Sequence, residues 1–154
     1  MTTKNEILDK LIEKLRKLCE STEIEVGSVS AAAIDAPGRN ESRYDTSKVE
    51  LGYLANSLSK KVSEIETIIN TLTAFSLPDE ISTIRVGSLV TVLNDKNEQT
   101  LFLLPVGGGN KLVVDELEIM VMSKTAPLFS AIINHKINDE INFSGRKIII
   151  KKIV

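Results

Sequence analysis

Two stretches of apolar residues at helical spacing lie on either side of residues 35–41, a segment that contains Pro37 and Gly38. Proline cannot continue a helix and glycine weakens one, so this segment predicts a turn between two helices. An amphipathic helix must bury its apolar stripe, and two helices that a turn connects can bury theirs against each other. The chain is therefore expected to contain a long antiparallel helical hairpin.

The first stripe runs from Asn5 to about Val29 and predicts one amphipathic helix. Gly27 and its neighbouring serines lower helix propensity by about 0.5–1 kcal/mol each, which predicts a softer end. In the second stripe four apolar residues are seven apart, as a coiled-coil seam requires, and they predict a helix from near Ser42 to near Ala74. About thirty residues at 1.5 Å each would give an arm on the order of 45 Å. The four residues are Leu51, Leu58, Ile65 and Leu72.

Pro78 ends the helical pattern and predicts a domain boundary, with the coiled-coil hairpin in residues 1–76 and a second domain in residues 77–154. Beyond the boundary the apolar period changes to two, which is typical of strands. One short helix is expected from Ala126 to Asn134, and Gly107–Gly109 reads as a flexible loop. The fold class is therefore α+β, a helical hairpin followed by a small, mainly antiparallel sheet. Its strands are predicted at residues 84–93, 100–105, 112–122, 140–143 and 147–154.

Composition narrows the functional classes. Apolar residues make up 42% of the 154 residues and charged residues 26%, which is ordinary for a soluble globular protein, and no apolar run approaches the roughly 20 residues of a membrane span. The first residues lack a signal sequence, so a cytoplasmic location is expected. The net charge is only −2, so contact with nucleic acid is expected only through a partner.

Few residue types that carry chemistry are present. Cys19 is the only cysteine and His135 the only histidine, so no intrachain disulfide or Cys/His zinc site is expected, and no stably bound metal. His135 has no acid or nucleophile motif beside it and is interpreted as a surface or capping residue. Cys19 is interpreted as a small core residue. Gly107–Gly109 precedes a strand and lacks the lysine of a phosphate-binding loop.

Several strings occur in an order that resembles bacterial Gre transcription elongation factors. They are Val86–Val92, Met122–Ile132, Lys136–Ile141 and Gly145 with the strand that follows it. They resemble, in turn, the Gre Gly-Ser-x-Val strand, the Ser-x-x-Ser-Pro helix start, the Gly-Lys-x-x-Gly-Asp-x-Val turn and the closing strand. Tyr44–Lys48 resembles the Tyr-x-x-x-Lys start of the second Gre hairpin helix.

The resemblance implies a coiled-coil hairpin joined to an FKBP-like C-terminal domain. It also implies that RNA polymerase is the partner: the C-terminal domain docks at the rim of the secondary channel, and the hairpin enters the channel. Carboxylates at the Gre tip help to hold a second Mg²⁺ ion and a water, so that the polymerase hydrolyses its own backtracked transcript. The chain itself would need no cofactor, because this Mg²⁺ belongs to the polymerase active site. A monomer without membrane contact is expected.

The tip sequence departs from the Gre pattern. Gre tips have an Asp and a Glu three residues apart, and residues 34–43 contain no such pair. The candidate catalytic carboxylates are Asp35, Glu41 and Asp45, although they could simply keep a loop soluble or favour a helix N-terminus. The neighbouring arginines could neutralise them or bind a phosphate or an acidic polymerase residue. The candidate polymerase-binding residues are Arg39, Arg43, Tyr44, Ser123, Lys124 and Pro127.

Four functions remain open from the sequence. A Gre-like factor would modulate elongation and stimulate transcript cleavage, whereas a non-cleaving factor would bind the same channel and inhibit. An FKBP-type prolyl isomerase is disfavoured, because the chain has no tryptophan and its second domain has only Phe102, Phe129 and Phe143 to line an aromatic pocket. A coiled-coil adaptor would instead dimerise through its apolar stripes.

Overall fold

A computed structural model of the chain describes residues 2–35 and 47–154. Two long helices are followed by a six-stranded sheet and one short helix, which confirms the predicted α+β class with its N-terminal helical hairpin. The helices are α1 (Lys4–Asp35), α2 (Ser47–Ala74) and α3 (Pro127–Ile132). The strands are β1 (Leu89–Asn94), β2 (Asn97–Leu103), β3 (Lys111–Val114), β4 (Leu117–Met122), β5 (Glu140–Phe143) and β6 (Arg146–Ile153).

The first helix continues past its predicted end. α1 is 32 residues long and runs through Gly27 to Asp35. One glycine inside a helix costs about 1 kcal/mol, and an established helix gains a hydrogen bond with every residue that it adds, so Gly27 does not end it. α2 ends at Ala74 as predicted, and its predicted start near Ser42 lies outside the described residues. Five site candidates also lie outside them, namely Arg39, Glu41, Arg43, Tyr44 and Asp45.

The chain divides into two compact units. The hairpin unit comprises residues 13–70, and the sheet unit comprises residues 71–154 together with the first residues up to Ile12. Within the hairpin unit, α1 buries Leu15 and Cys19, and α2 buries Ile65 and Ile69. The two apolar stripes therefore supply the buried residues, as the spacing predicts. The domain boundary between residues 76 and 77 stays a prediction about independent folding.

In the sheet unit the strands are ordered β3-β4-β2-β1-β6-β5. Neighbouring strands are antiparallel except for β2 and β4, which run parallel. α3 contributes Phe129 and Ile132 to the core, where both are buried. Apolar residues of β1, β2 and β6 make up much of the same core: Val90, Val92, Leu101, Leu103, Ile148 and Ile150.

Two predicted strands differ clearly in the structure, and β2 is also shifted, from the predicted 100–105 to Asn97–Leu103. Residues 112–122 form two strands, β3 and β4, which a tight turn at Asp115 and Glu116 connects. Both turn residues have positive φ angles, 50° and 65°, a conformation for which Asn-Gly or Asp-Gly is the usual sequence signal. The predicted strand 84–93 begins only at Leu89, because Gly87 has φ 95° and lies against Pro78. A Cβ atom on Gly87 would lie 2.4 Å from the Pro78 Cδ, so glycine is required there.

Candidate functional site

The described part of the predicted tip is Asp35, the last residue of α1, and its side chain is exposed. The C-terminal end of a helix carries a partial negative charge, which disfavours a carboxylate and favours a basic residue. α1 has no basic residue in its last turn. Stabilisation of a helix N-terminus, the simple explanation offered for the tip carboxylates, therefore does not apply to Asp35.

Apolar side chains are exposed where the two hairpin helices adjoin residues 36–46. The exposed fraction is 75% for Ile34 at the end of α1 and 69% for Tyr53 on α2, one turn after the exposed Val49. Val49 and Tyr53 are neighbours on one face of α2, and exposed apolar patches are often contact surfaces. The sequence reasoning missed these three residues because it followed the heptad stripe. The signal was available, since Val49 and Tyr53 are spaced i,i+4 and lie outside that stripe.

A second group of candidates lies just before α3 in the sheet unit. Lys124 and Pro127 are exposed, and Ser123 is half-buried. The Ala126 amide donates a hydrogen bond to the Ser123 carbonyl at 3.0 Å, and the Ser123 and Thr125 hydroxyls are 3.2 Å apart. Pro127 occupies the first turn of the helix, where its missing amide hydrogen costs nothing. The turn thus presents Lys124 and Pro127 together at the surface.

The glycine loop packs against this turn. A Cβ atom on Gly108 would lie 2.6 Å from the Ser123 Oγ and 3.0 Å from the Ser123 backbone nitrogen, so the loop and the turn approach each other closely there. The sequence suggested a flexible loop, but backbone hydrogen bonds connect Gly109 and Asn110 to Val121 of β4. The side-chain amide of Asn110 also donates a hydrogen bond to the Gly107 carbonyl at 2.8 Å. The loop therefore supports Ser123 from behind, a contact that the sequence alone did not reveal.

Lys4 has a structural role within the sheet unit. Its Nζ donates a 2.9 Å hydrogen bond to the Pro78 carbonyl and a longer bond of 3.4 Å to the Gly87 carbonyl. Burial lowers the pKa of Lys4, the neighbouring Arg85 charge lowers it further, and Asp79 opposes both. Beside Lys4 is a cleft of about 590 Å³. Because these carbonyls already bind the ammonium group, Lys4 holds the first turn of α1 to residues 78–87.

The three phenylalanines considered for a prolyl-isomerase pocket lie in the core of the sheet unit or against it. Phe102 is fully buried and Phe129 is only 6% exposed, so both serve the core of the sheet unit. Phe143 packs against the same core. His135 lies with Nδ1 3.2 Å from the carbonyl oxygens of Ile132 and Ile133, in keeping with its interpretation as a capping residue. Within residues 2–35 and 47–154, no helix has the length and apolar character needed to cross a bilayer.

Comparisons with known proteins give a similarity to solved structures only. No protein-family model matches the chain, and none of the curated proteins matches it. The crystal structure of GreA factor homolog 1 (Gfh1) of Thermus thermophilus is 16% identical, with 93% of this chain and 94% of that chain covered and a TM-score of 0.34. Thermus aquaticus Gfh1 is 16% identical, with 92% of each chain covered and a TM-score of 0.36. A further structure of the transcription factor Gfh1 is 13% identical, with the same coverage and a TM-score of 0.36.

Proposed function

We propose that this chain is a Gre-like transcription factor that binds RNA polymerase at the secondary channel and modulates elongation. The observation that carries the proposal is the hairpin. Its first helix ends at Asp35 and its second begins at Ser47, on either side of residues 36–46, which include several charged residues. From residue 13 to residue 35, α1 extends about 33 Å at 1.5 Å per residue. A hairpin of that length can carry its charged end into a pore.

The two candidate surfaces would contact different parts of the polymerase. The turn with Lys124 and Pro127 binds the rim of the channel, where the Lys124 charge suits an acidic surface of the polymerase. Ile34, Val49 and Tyr53 contact apolar parts of the channel wall as the hairpin enters. Binding of nucleic acid by the chain alone is not part of the proposal, since the net charge of −2 gives little attraction for phosphates. A factor of this kind acts where the polymerase is, in the cytoplasm.

At the active site the chain would supply side chains and the polymerase would supply the metal. Asp35, with Glu41 and Asp45, provides carboxylate oxygens, which Mg²⁺ prefers as ligands. In a cleavage role these oxygens would help to hold the polymerase's Mg²⁺ and a water molecule. A second candidate, a non-cleaving inhibitor, is favoured by the tip sequence itself, which lacks the Asp-x-x-Glu pair and places Arg39 and Arg43 among the acids. Either role requires the same binding site on the polymerase.

Stalled elongation complexes of the cognate polymerase test the proposal. The complexes are incubated with Mg²⁺ and with the wild type, Asp35→Ala, Glu41→Ala or the control Asp9→Ala, which removes an exposed carboxylate near the other end of α1. All four proteins are expected to bind. If the wild type shortens the transcripts and the two tip variants do not, the result supports cleavage. If elongation slows and the transcripts are not shortened, the result supports inhibition. Failure of the wild type to bind the polymerase would overturn the proposal.

The rim contact has its own test. Lys124→Glu is expected to weaken binding to the polymerase by at least about tenfold, because a rim charge of the wrong sign disfavours the encounter. Lys96→Glu is the matched control: it makes the same charge change at an exposed lysine in the β1–β2 turn, and it should bind like the wild type. Equal affinities for both variants would place the rim contact elsewhere on the sheet unit.

A further inference from the structure

Inside the hairpin unit, three side chains with metal-binding atoms converge across the two helices. Cys19 and Glu23 are one turn apart on α1, so they lie on the same face of the helix. Glu66 comes from α2, next to the buried Ile65. The Cys19 Sγ and one carboxylate oxygen from each glutamate all lie within 4.8 Å of one another. Only the pairing of the two helices brings these atoms together.

The thiol points into this cluster from the buried side. Cys19 is only 7% exposed, and within residues 2–35 and 47–154 it makes no disulfide and no hydrogen bond. Burial raises the pKa of the Cys19 thiol, and the negative charges of Glu23 and Glu66 raise it further. A buried free cysteine often serves as a small apolar residue, and what distinguishes Cys19 is that its sulfur lies beside two carboxylate oxygens.

The two carboxylates are also uncompensated. Lys17 pairs with Glu13 and Lys60 pairs with Glu64 on these helices, whereas neither Glu23 nor Glu66 takes part in an ion pair in the described part of the chain. The negative charges of both carboxylates disfavour a thiolate beside them, and a bound cation would offset that effect.

We propose that Cys19, Glu23 and Glu66 bind one divalent transition-metal ion of the zinc type, which links the two helices of the hairpin. On binding, the Cys19 S–H bond breaks, its proton leaves to solvent, and the sulfur forms a bond to the metal. Zinc–sulfur bonds are about 2.3 Å and zinc–carboxylate bonds about 2.0–2.2 Å, so the donor atoms of a tetrahedral site lie about 3.3–3.8 Å apart. The exposed glutamate side chains can close the remaining distance by changing rotamer.

The set of donors selects the kind of metal. A thiolate is a soft ligand that suits zinc, cobalt or cadmium, whereas Mg²⁺ and Ca²⁺ prefer oxygen ligands alone. Three protein ligands leave a fourth position for water, the pattern of an open zinc site. The count of cysteine and histidine residues, which argued against zinc, took no account of carboxylates from a second helix.

Cobalt is the probe for the experiment, because a thiolate bound to Co²⁺ gives an intense charge-transfer absorption in the near ultraviolet. Co²⁺ is titrated into the full chain after treatment with a chelator. One equivalent is expected to produce the charge-transfer band together with the visible bands of tetrahedral cobalt, and added Zn²⁺ should abolish both. The protein should also melt at a higher temperature with Zn²⁺ than with chelator, since binding to the folded state stabilises it.

Three variants identify the ligands. Cys19→Ser should abolish the charge-transfer band, and Glu23→Gln and Glu66→Gln should each weaken cobalt binding by at least about tenfold. Glu20→Gln is the matched control: it removes an exposed carboxylate next to Cys19 that is not part of the cluster, and it should bind like the wild type. Circular dichroism shows that each variant is folded.

No charge-transfer band at millimolar Co²⁺ would overturn the proposal. So would a band that persists in Cys19→Ser, or equal affinities for the wild type and both glutamine variants. These measurements use no polymerase, so their outcome is independent of the transcription function.

Discussion

The hairpin unit has two parts, which differ in how deeply their side chains are buried. We call residues 13–22 with 63–70 the seam part, and residues 23–35 with 47–62 the distal part. The seam part buries large side chains such as Leu15 and Ile65, whereas none of the described side chains in the distal part is fully buried. The half-buried residues of the distal part include small ones such as Ala33 and Ala55 as well as larger ones such as Leu51 and Leu58. Helical periodicity alone therefore does not make a tight interface.

The difference bears on function. A segment with few buried contacts opens at low free energy cost, and binding segments are often drawn from such regions. The distal part carries the exposed Ile34 and Tyr53 and leads into the charged residues 36–46. In the proposed function this part enters the polymerase, and the seam part holds the helices together behind it.

The largest expected effect is on stability. Ile65→Ala removes a side chain that is 6% exposed in the seam part and should lower the free energy of unfolding by about 2–4 kcal/mol. Leu58→Ala removes a half-buried side chain of the distal part and should cost less than about 1.5 kcal/mol. Urea denaturation followed by circular dichroism measures both values. Equal losses would mean that the two parts are packed alike.

Hydrogen exchange should show the same contrast without a substitution. Backbone amides in residues 27–35 and 51–58 are expected to exchange at least about tenfold faster than those in residues 15–22 and 65–70, because local opening of the distal part exposes little apolar surface. Mass spectrometry of peptides from the exchanging protein measures this. Uniform protection along both helices would contradict the comparison.

Helix propensity gives a smaller effect. Gly27 and Gly52 both lie in the distal part, and a Cβ atom added at either would meet nothing within 4 Å. Gly27→Ala and Gly52→Ala should therefore each stabilise the protein by about 0.5–1 kcal/mol, since alanine loses less backbone entropy in a helix. Thermal denaturation measures the gain.

Gly145→Ala is the control for these two variants. Gly145 also has free space around it, but its φ is 76°, so alanine there should destabilise by about 1 kcal/mol. Stabilisation by all three substitutions would show that space, and not backbone conformation, decides the result.

The smallest effect concerns the ionisation of Cys19 in the seam part. Its pKa is raised from the ordinary value of 9.0, so above that value the folded state holds a proton that the unfolded state has lost. The stability that this provides is fully present below the unfolded pKa and is lost as pH rises through the folded pKa. Stability of the wild type relative to Cys19→Ala should therefore fall as pH rises above about 8.5–9. Denaturation with chelator present measures it, and a pH-independent difference would contradict it.

Local patterns in the sequence were enough for several elements. The end of α2 at Ala74, the start of α3 near Pro127 and strand β5 at Glu140–Phe143 agree with the predictions. Each depends on residues that are close together in the chain: a heptad repeat, a proline in a first turn, or an alternation with period two. The nomination of Lys124 and Pro127 depends on the Gre resemblance, which is carried there by one short string of neighbouring residues.

Tertiary structure decided what depends on residues far apart in the chain. The turn at Asp115 and Glu116 has no local glycine signal, and its positive φ angles accompany the antiparallel pairing of β3 with β4. Glycine is required at residue 87 because Pro78 lies against it. The cluster of Cys19 with Glu66 exists only because two helices pair. A side chain's periodicity shows which face it occupies, but only the packed chain determines which distant group it meets.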